Sequence, residues 1–102
     1  MTPVQKGAQF ESDFEREALF LCEVSPPVAL RFVDAVDAAI ELLAQHPEIG
    51  PVWRYGNPQH PTRYLLVPGF HNYLIFYRHE RGAVRLGRLM HGAQDLQDVL
   101  GD

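Results

Sequence analysis

The chain has 102 residues, 46% of them hydrophobic and 22% charged, with a formal net charge of −4 and a single cysteine, Cys22. That length suits one domain, so residues 1–102 are read as a single unit that buries about two thirds of its unfolded surface in one core. No apolar run approaches the ~18 residues a membrane span needs, no secretion-signal core follows Met1, and one cysteine closes no intrachain disulfide; a reduced, cytoplasmic setting without a membrane partner is expected.

The modest net charge hides an asymmetry. Residues 1–50 hold three basic side chains (Lys6, Arg16, Arg31) against nine acids, a balance of −6. Residues 51–91 hold six arginines (Arg54, Arg63, Arg78, Arg81, Arg85, Arg88) against Glu80, a balance of +5, together with four of the five histidines. Halves of opposite sign point to one face that meets an anionic partner. The plainer alternative is an acidic helical half kept for solubility and strands with arginines on a wet face.

A weak strand signal spans residues 3–6. From about Gln9 to Val24, Phe10, Phe14, Ala18, Leu21 and Cys22 recur at spacings of three and four, which predicts an amphipathic helix. Glu11, Asp13, Glu15, Arg16 and Glu17 fill its other face, and the acids in its first half complement the helix dipole. Ser25-Pro26-Pro27 breaks it and suits the first turn of a second helix, with Ser25 as N-cap. That helix runs from about Pro26 to Gln45 on a stripe of Phe32, Val33, Val36, Ile40 and Leu43, and His46-Pro47 ends it. Residues 47–61 hold four prolines and two glycines and form a loop, in which Trp53 and Tyr55 need a surface to pack on.

From Thr62 the period becomes two. Residues 63–67 and 72–78 are strands, residues 79–82 a hairpin-sized turn, and residues 83–90 a third strand. The tail, residues 91–102, is expected to add a short helical turn around Leu96, Val99 and Leu100. The order is (β)ααβββ, an α+β fold in which an antiparallel helical hairpin packs on a three- to four-stranded antiparallel sheet, since that two-layer arrangement buries both apolar faces.

Two stretches carry a family likeness. "ALRFVDAVDAAIELLAQHPEIGPVW" resembles the second helix and following loop of ParE/RelE-superfamily toxins. "RYLLVPGFHNYLIFYRHERGAVRLGRLMHGAQDL" resembles their strand meander, with a "Y-x-I-F-Y-R" strand and an "R-L-x-H-G-x-x-D-L" ending. The likeness spans about Ala8 to Leu100. It implies a toxin of a type II toxin–antitoxin system, encoded beside a cognate antitoxin that is ParD-like or another short DNA-binding protein. RelE-like members cut mRNA in the ribosome, whereas ParE-like members poison DNA gyrase. A shared fold does not choose between them.

Metal-free RNA cleavage needs a base, an acid and cations around the phosphorane. In the RelE-like reading Arg63, Arg78 and Arg88 supply the cations and His91 the proton transfer; in the ParE-like reading the same four residues contact the target. Each also has a bland role: Arg63 can pair with an acid of the second helix, Arg78 and Arg88 with Glu80 or Asp95, and His91 with a backbone carbonyl. Three features favour ParE. The chain is acidic with one lysine, poorly suited to dense ribosomal phosphate. His91 is followed by Gly92 where many nucleases carry an aromatic partner, and their lysine cluster has no counterpart. Trp53, Tyr55, Tyr73 and Tyr77 are candidate antitoxin contacts, and a toxin-fold module without toxicity is a third possibility.

No cofactor and no metal are expected. His60, His71, His79 and His91 lie on different turns with no carboxylate or cysteine at zinc-like spacing. Cys22 reads as a small core hydrophobe, and Arg54, Arg81 and Arg85 as solvated residues of a loop or hairpin. The glycines at 50, 56, 69, 82, 87 and 92 follow turns and strand ends, and none builds a phosphate-cradling loop.

Overall fold

The computed structural model describes residues 1–92. A short strand, β1 (Val4–Lys6), leads into helices α1 (Ala8–Val24) and α2 (Pro26–Gln45); a loop then precedes β2 (Arg63–Val67), β3 (Phe70–Glu80) and β4 (Ala83–His91). The helical turn expected around Leu96, Val99 and Leu100 lies outside the described residues. No described helix is long and apolar enough to cross a membrane.

One residue, Ser25, separates the helices. It caps through its backbone: its N–H donates to the Leu21 carbonyl at 2.7 Å and its carbonyl accepts from the Ala29 N–H at 3.0 Å. Ser25 is the N-cap of α2, as expected, although its hydroxyl makes no capping bond. Pro26 and Pro27 occupy the first turn of α2, where their missing N–H groups cost nothing.

The strands lie in the order β1-β4-β3-β2. β2, β3 and β4 form the expected antiparallel meander, but β1 runs parallel to β4, with Val4 beside Val84 and Lys6 beside Leu86. The sheet is therefore mixed and not antiparallel throughout. The helical hairpin carries the chain from one sheet edge across to the other, and the meander returns its last strand alongside the first. The β3–β4 turn is tighter than expected: Glu80 pairs with Ala83, leaving Arg81 and Gly82 at φ 53° and 74°. Two successive positive φ values match the hairpin twist of a type I′ turn, in which glycine is at home and arginine is tolerated at a cost.

Alternate residues divide the sheet into two faces. Tyr73, Ile75, Tyr77, Val84, Leu86 and Leu89 face the helices and pack with Phe32, Val36 and Leu43 of α2. On the far face, Leu74, Phe76 and Met90 form a smaller cluster with Trp53 and Tyr64. α2 is the central helix, with six buried residues, while α1 buries only Phe10 and Asp13. Two expectations fail on α1. Cys22 is exposed and not part of the core, and Asp13, placed on the polar face by its spacing, is 2% exposed.

The loop after α2 is fixed to the sheet by Tyr77. Its phenol oxygen accepts the Gly50 N–H at 3.0 Å while the side chain itself is buried. Burial raises the phenol above its ordinary 10.0, although the Gly50 bond and the Arg63 charge oppose the shift. Tyr77→Phe strands the Gly50 N–H and is expected to cost about 1–3 kcal/mol at neutral pH, read from the denaturant midpoint. A folded-state value above the unfolded one means this group's contribution is complete below about pH 10 and declines as pH rises past it. The variant should therefore lose less stability than wild type above about pH 10; equal alkaline losses would contradict the assignment.

Candidate functional site

Pairing register decides which side each candidate residue occupies, because residues directly opposite in an antiparallel ladder share a face. Arg63 is opposite Tyr77 and His91 is opposite Tyr73, so both belong to the helix-facing side. Arg78 is opposite Arg85, and Arg88 is opposite Phe76, on the far side. The four residues proposed from sequence thus divide two and two across the sheet.

Their partners differ accordingly. The Arg63 guanidinium donates to the carbonyls of Glu48 and Gly50, at 3.1 and 2.8 Å, and so pins the loop beside Tyr77. The His91 ring stacks edge-on against Tyr73, with centroids 5.1 Å apart. Arg78 donates to the Thr62 hydroxyl at 3.3 Å. Arg88 is held by the carboxylate of Asp13, with Nε 2.7 Å from Oδ2 and Nη2 3.3 Å from Oδ1, and the same Oδ2 accepts the Leu89 N–H at 3.1 Å. β1 pairs with β4 only as far as Leu86, so Asp13 covers the exposed β4 edge immediately beyond. Among the described residues the carboxylate that holds Arg88 is Asp13 and not Glu80; Asp95, the other neighbour considered, lies outside the described residues.

A fifth residue joins the far face. Arg85, expected as a solvated hairpin residue, lies in the β4 arm of that hairpin, where it donates to the Gln5 side chain at 2.6 Å and approaches Glu80 at 3.9 Å. Thr62, Phe76, Arg78, Arg85 and Arg88 line a groove of about 380 Å³ on this open side. Beside it, Trp53 packs edge-on against Phe76 and Tyr64, with centroids 5.2 and 5.8 Å away. The two-residue Arg81-Gly82 turn was the available signal, since counting back from it sets Arg78 opposite Arg85.

The aromatic candidates also separate. Tyr73 and Tyr77 are 7% and 1% exposed and belong to the core, so they are corrected from surface contacts to packing residues. Trp53 is half-buried, and Tyr55 is 58% exposed with the Arg54 guanidinium 5.0 Å from its ring centre.

A second feature could not be located from the sequence. Between α1 and α2 runs an apolar groove of about 800 Å³, lined by Phe14, Leu19, Cys22, Leu30, Val33 and Ile40 among others. Leu19 and Leu30 are 60% and 68% exposed. Lys6, Glu11, Glu15 and Asp37 also border it, three acids against one base. Contiguous exposed apolar surface is uncommon on a small domain. Its signal was Leu19 and Leu30, apolar residues left over once each core stripe is drawn. Among the described residues no group of three or more His, Cys, Asp or Glu side chains could hold a metal ion.

A helical hairpin on a four-stranded sheet, with an apolar cleft on one side and arginines on the other, defines a small α+β domain. The sequence matches, over residues 6–96, the family described as the ParE toxin of type II toxin-antitoxin systems, parDE. The chain belongs to that family, and the family is one of type II toxin–antitoxin toxins within the ParE/RelE superfamily. No match to a curated protein was found.

Proposed function

We propose that the chain arrests growth by inhibiting DNA gyrase and that a cognate ParD-like antitoxin neutralises it. The division of Arg63 and His91 from Arg78 and Arg88 across the sheet carries the choice of target. A nuclease must bring its acid, base and cations within reach of one phosphate, and strand register assigns the two pairs to opposite faces. The ParE family match points the same way. Purified, folded toxin is expected to inhibit gyrase supercoiling in vitro, and unaffected supercoiling would overturn this reading. The rival reading, a ribosome-dependent endoribonuclease, requires new mRNA 5′ ends on induction and their loss in His91→Ala. Overexpression without any growth defect would instead favour a non-toxic interaction module.

The groove between α1 and α2 is the proposed seat of the antitoxin, as an amphipathic helix laid along it. Leu30→Glu replaces a 68% exposed side chain, so folding should be unaffected within about 0.5 kcal/mol. Antitoxin affinity should fall about tenfold or more as a charge enters the apolar contact. Coexpressed antitoxin should then fail to rescue growth. Full rescue with unchanged affinity would place the antitoxin elsewhere.

A further inference from the structure

We propose that the groove on the open sheet face is a binding site for a nucleotide phosphate, gripped by Arg78 and Arg85 with Arg88 and Thr62 beside them. This inference does not rest on the gyrase reading.

Arg78 and Arg85 are direct cross-strand partners. Like charges in that position destabilise a sheet, and an anion between them removes the repulsion. Arg88 joins them through a register irregularity. Residues three apart on a regular strand point to opposite faces, yet Arg85 and Arg88 share one. The pairing passes from Tyr77 opposite Leu86 to Phe76 opposite Arg88, leaving Gly87 as an extra residue. Bulges of this kind re-aim side chains. Gly87 is not there to avoid a clash, because an added Cβ would find only the Phe76 carbonyl oxygen at 3.6 Å.

The chemistry of the groove fits the ligand. Among the described lining residues, three carry guanidiniums and one, Glu80, a carboxylate; Arg88 is also paired with Asp13, so Arg78 and Arg85 supply the grip. Guanidinium forks match phosphate oxygens two at a time, and the Thr62 hydroxyl can both donate and accept. A volume of about 380 Å³ exceeds what a lone phosphate needs and lies in the range of small-molecule sites. Phe76 forms the floor of the groove but is only 8% exposed, with Trp53 and Tyr64 packed against it, so recognition falls to the guanidiniums and the Thr62 hydroxyl. The net charge of −4 confines the attraction to this patch, so the site takes one nucleotide or a short single strand and does not track a duplex.

Trp53, the single tryptophan, touches Phe76 and reports on the groove. Purified toxin titrated at low salt with thymidine 5′-monophosphate, and separately with a short single-stranded oligothymidylate, should show a saturable change in tryptophan emission. Binding of the oligonucleotide alone identifies a phosphodiester in nucleic acid as the source; binding of the monophosphate identifies a free nucleotide. Arg78→Ala with Arg85→Ala should weaken binding by about tenfold or more, with circular dichroism confirming the fold. The paired Arg→Lys variant keeps the charge and loses the forks, so it should bind several-fold more weakly than wild type, and it serves if the alanine pair misfolds. No saturable change with millimolar monophosphate or with the oligonucleotide would overturn the site. So would affinity that both arginine pairs leave unaltered.

Discussion

Replacing Asp13 by alanine is expected to destabilise the fold by about 2–4 kcal/mol and to lower the melting temperature by roughly 10–20 °C. Asp13 is acidic, 2% exposed, and sits on a helix that buries only one other residue, Phe10. Its two oxygens accept from Arg88 Nε and Nη2 and from the Leu89 N–H, with Arg16 at 3.5 Å. Truncation leaves a buried backbone donor without its acceptor and removes one partner of the Arg88 guanidinium. The Arg88 side chain is 41% exposed and can turn to water, which keeps the cost below that of a fully buried broken pair. The Leu89 N–H, on a residue that is 0% exposed, cannot. Asp13→Asn should recover only part of the loss, because its amide keeps one acceptor and presents donors toward Arg88. A double-mutant cycle with Arg88→Ala should show coupling of about 1 kcal/mol or more. A loss below about 0.5 kcal/mol in Asp13→Ala would refute this account of how α1 is attached to β4.

Gly50→Ala should be comparably damaging, at about 3 kcal/mol or more, for a steric reason. A Cβ at this position would stand 2.3 Å from the Tyr64 carbonyl oxygen, 3.1 Å from its carbon and 2.9 Å from the Tyr77 phenol oxygen. The phenol could move a little, but the Tyr64 carbonyl belongs to β2, which pairs with β3 through Phe76. Relieving the contact means lifting the loop away and breaking the bonds from Gly50 to Tyr77 and Arg63. Trp53 follows three residues later, and its packing on Phe76 should loosen as well. The near-ultraviolet dichroism of the tryptophan and the thermal midpoint should fall together. A variant that melts with wild type and keeps the tryptophan signal would show that the loop is not locked at Gly50.

Both positions show what local pattern can and cannot reveal. Helical periodicity fixed the extent of both helices to within a residue, since apolar recurrence and the Ser25-Pro26-Pro27 break act over a single turn. Alternation and turn residues fixed the three-stranded meander for the same reason. Asp13 was misplaced because spacing assigns a residue to a helix face without saying what lies against that face. Here it is a strand edge with an unpaired N–H, where a carboxylate is the complementary group. Cys22 erred in the opposite direction: its stripe continues past the sheet, so the last residues border an open groove.

The candidate site divides along the same line. Six arginines confined to residues 51–91 are a property of the chain itself, and so is membership of the ParE family. Which arginines act together is not. One bulge at Gly87 sets whether Arg88 stands beside Arg85 or behind it, and one register sets Arg63 and His91 on the far side from Arg78. A slip of a single residue exchanges the faces of a strand, and register is settled by packing between elements distant in sequence. By itself the sequence determined the elements, their order and the charge of each half. Only the tertiary structure decided that β1 lies parallel to β4, that Asp13 is buried against that edge, and that the open face carries Arg78, Arg85 and Arg88. Those outcomes depend on contacts between residues as many as 81 positions apart, which no local preference encodes.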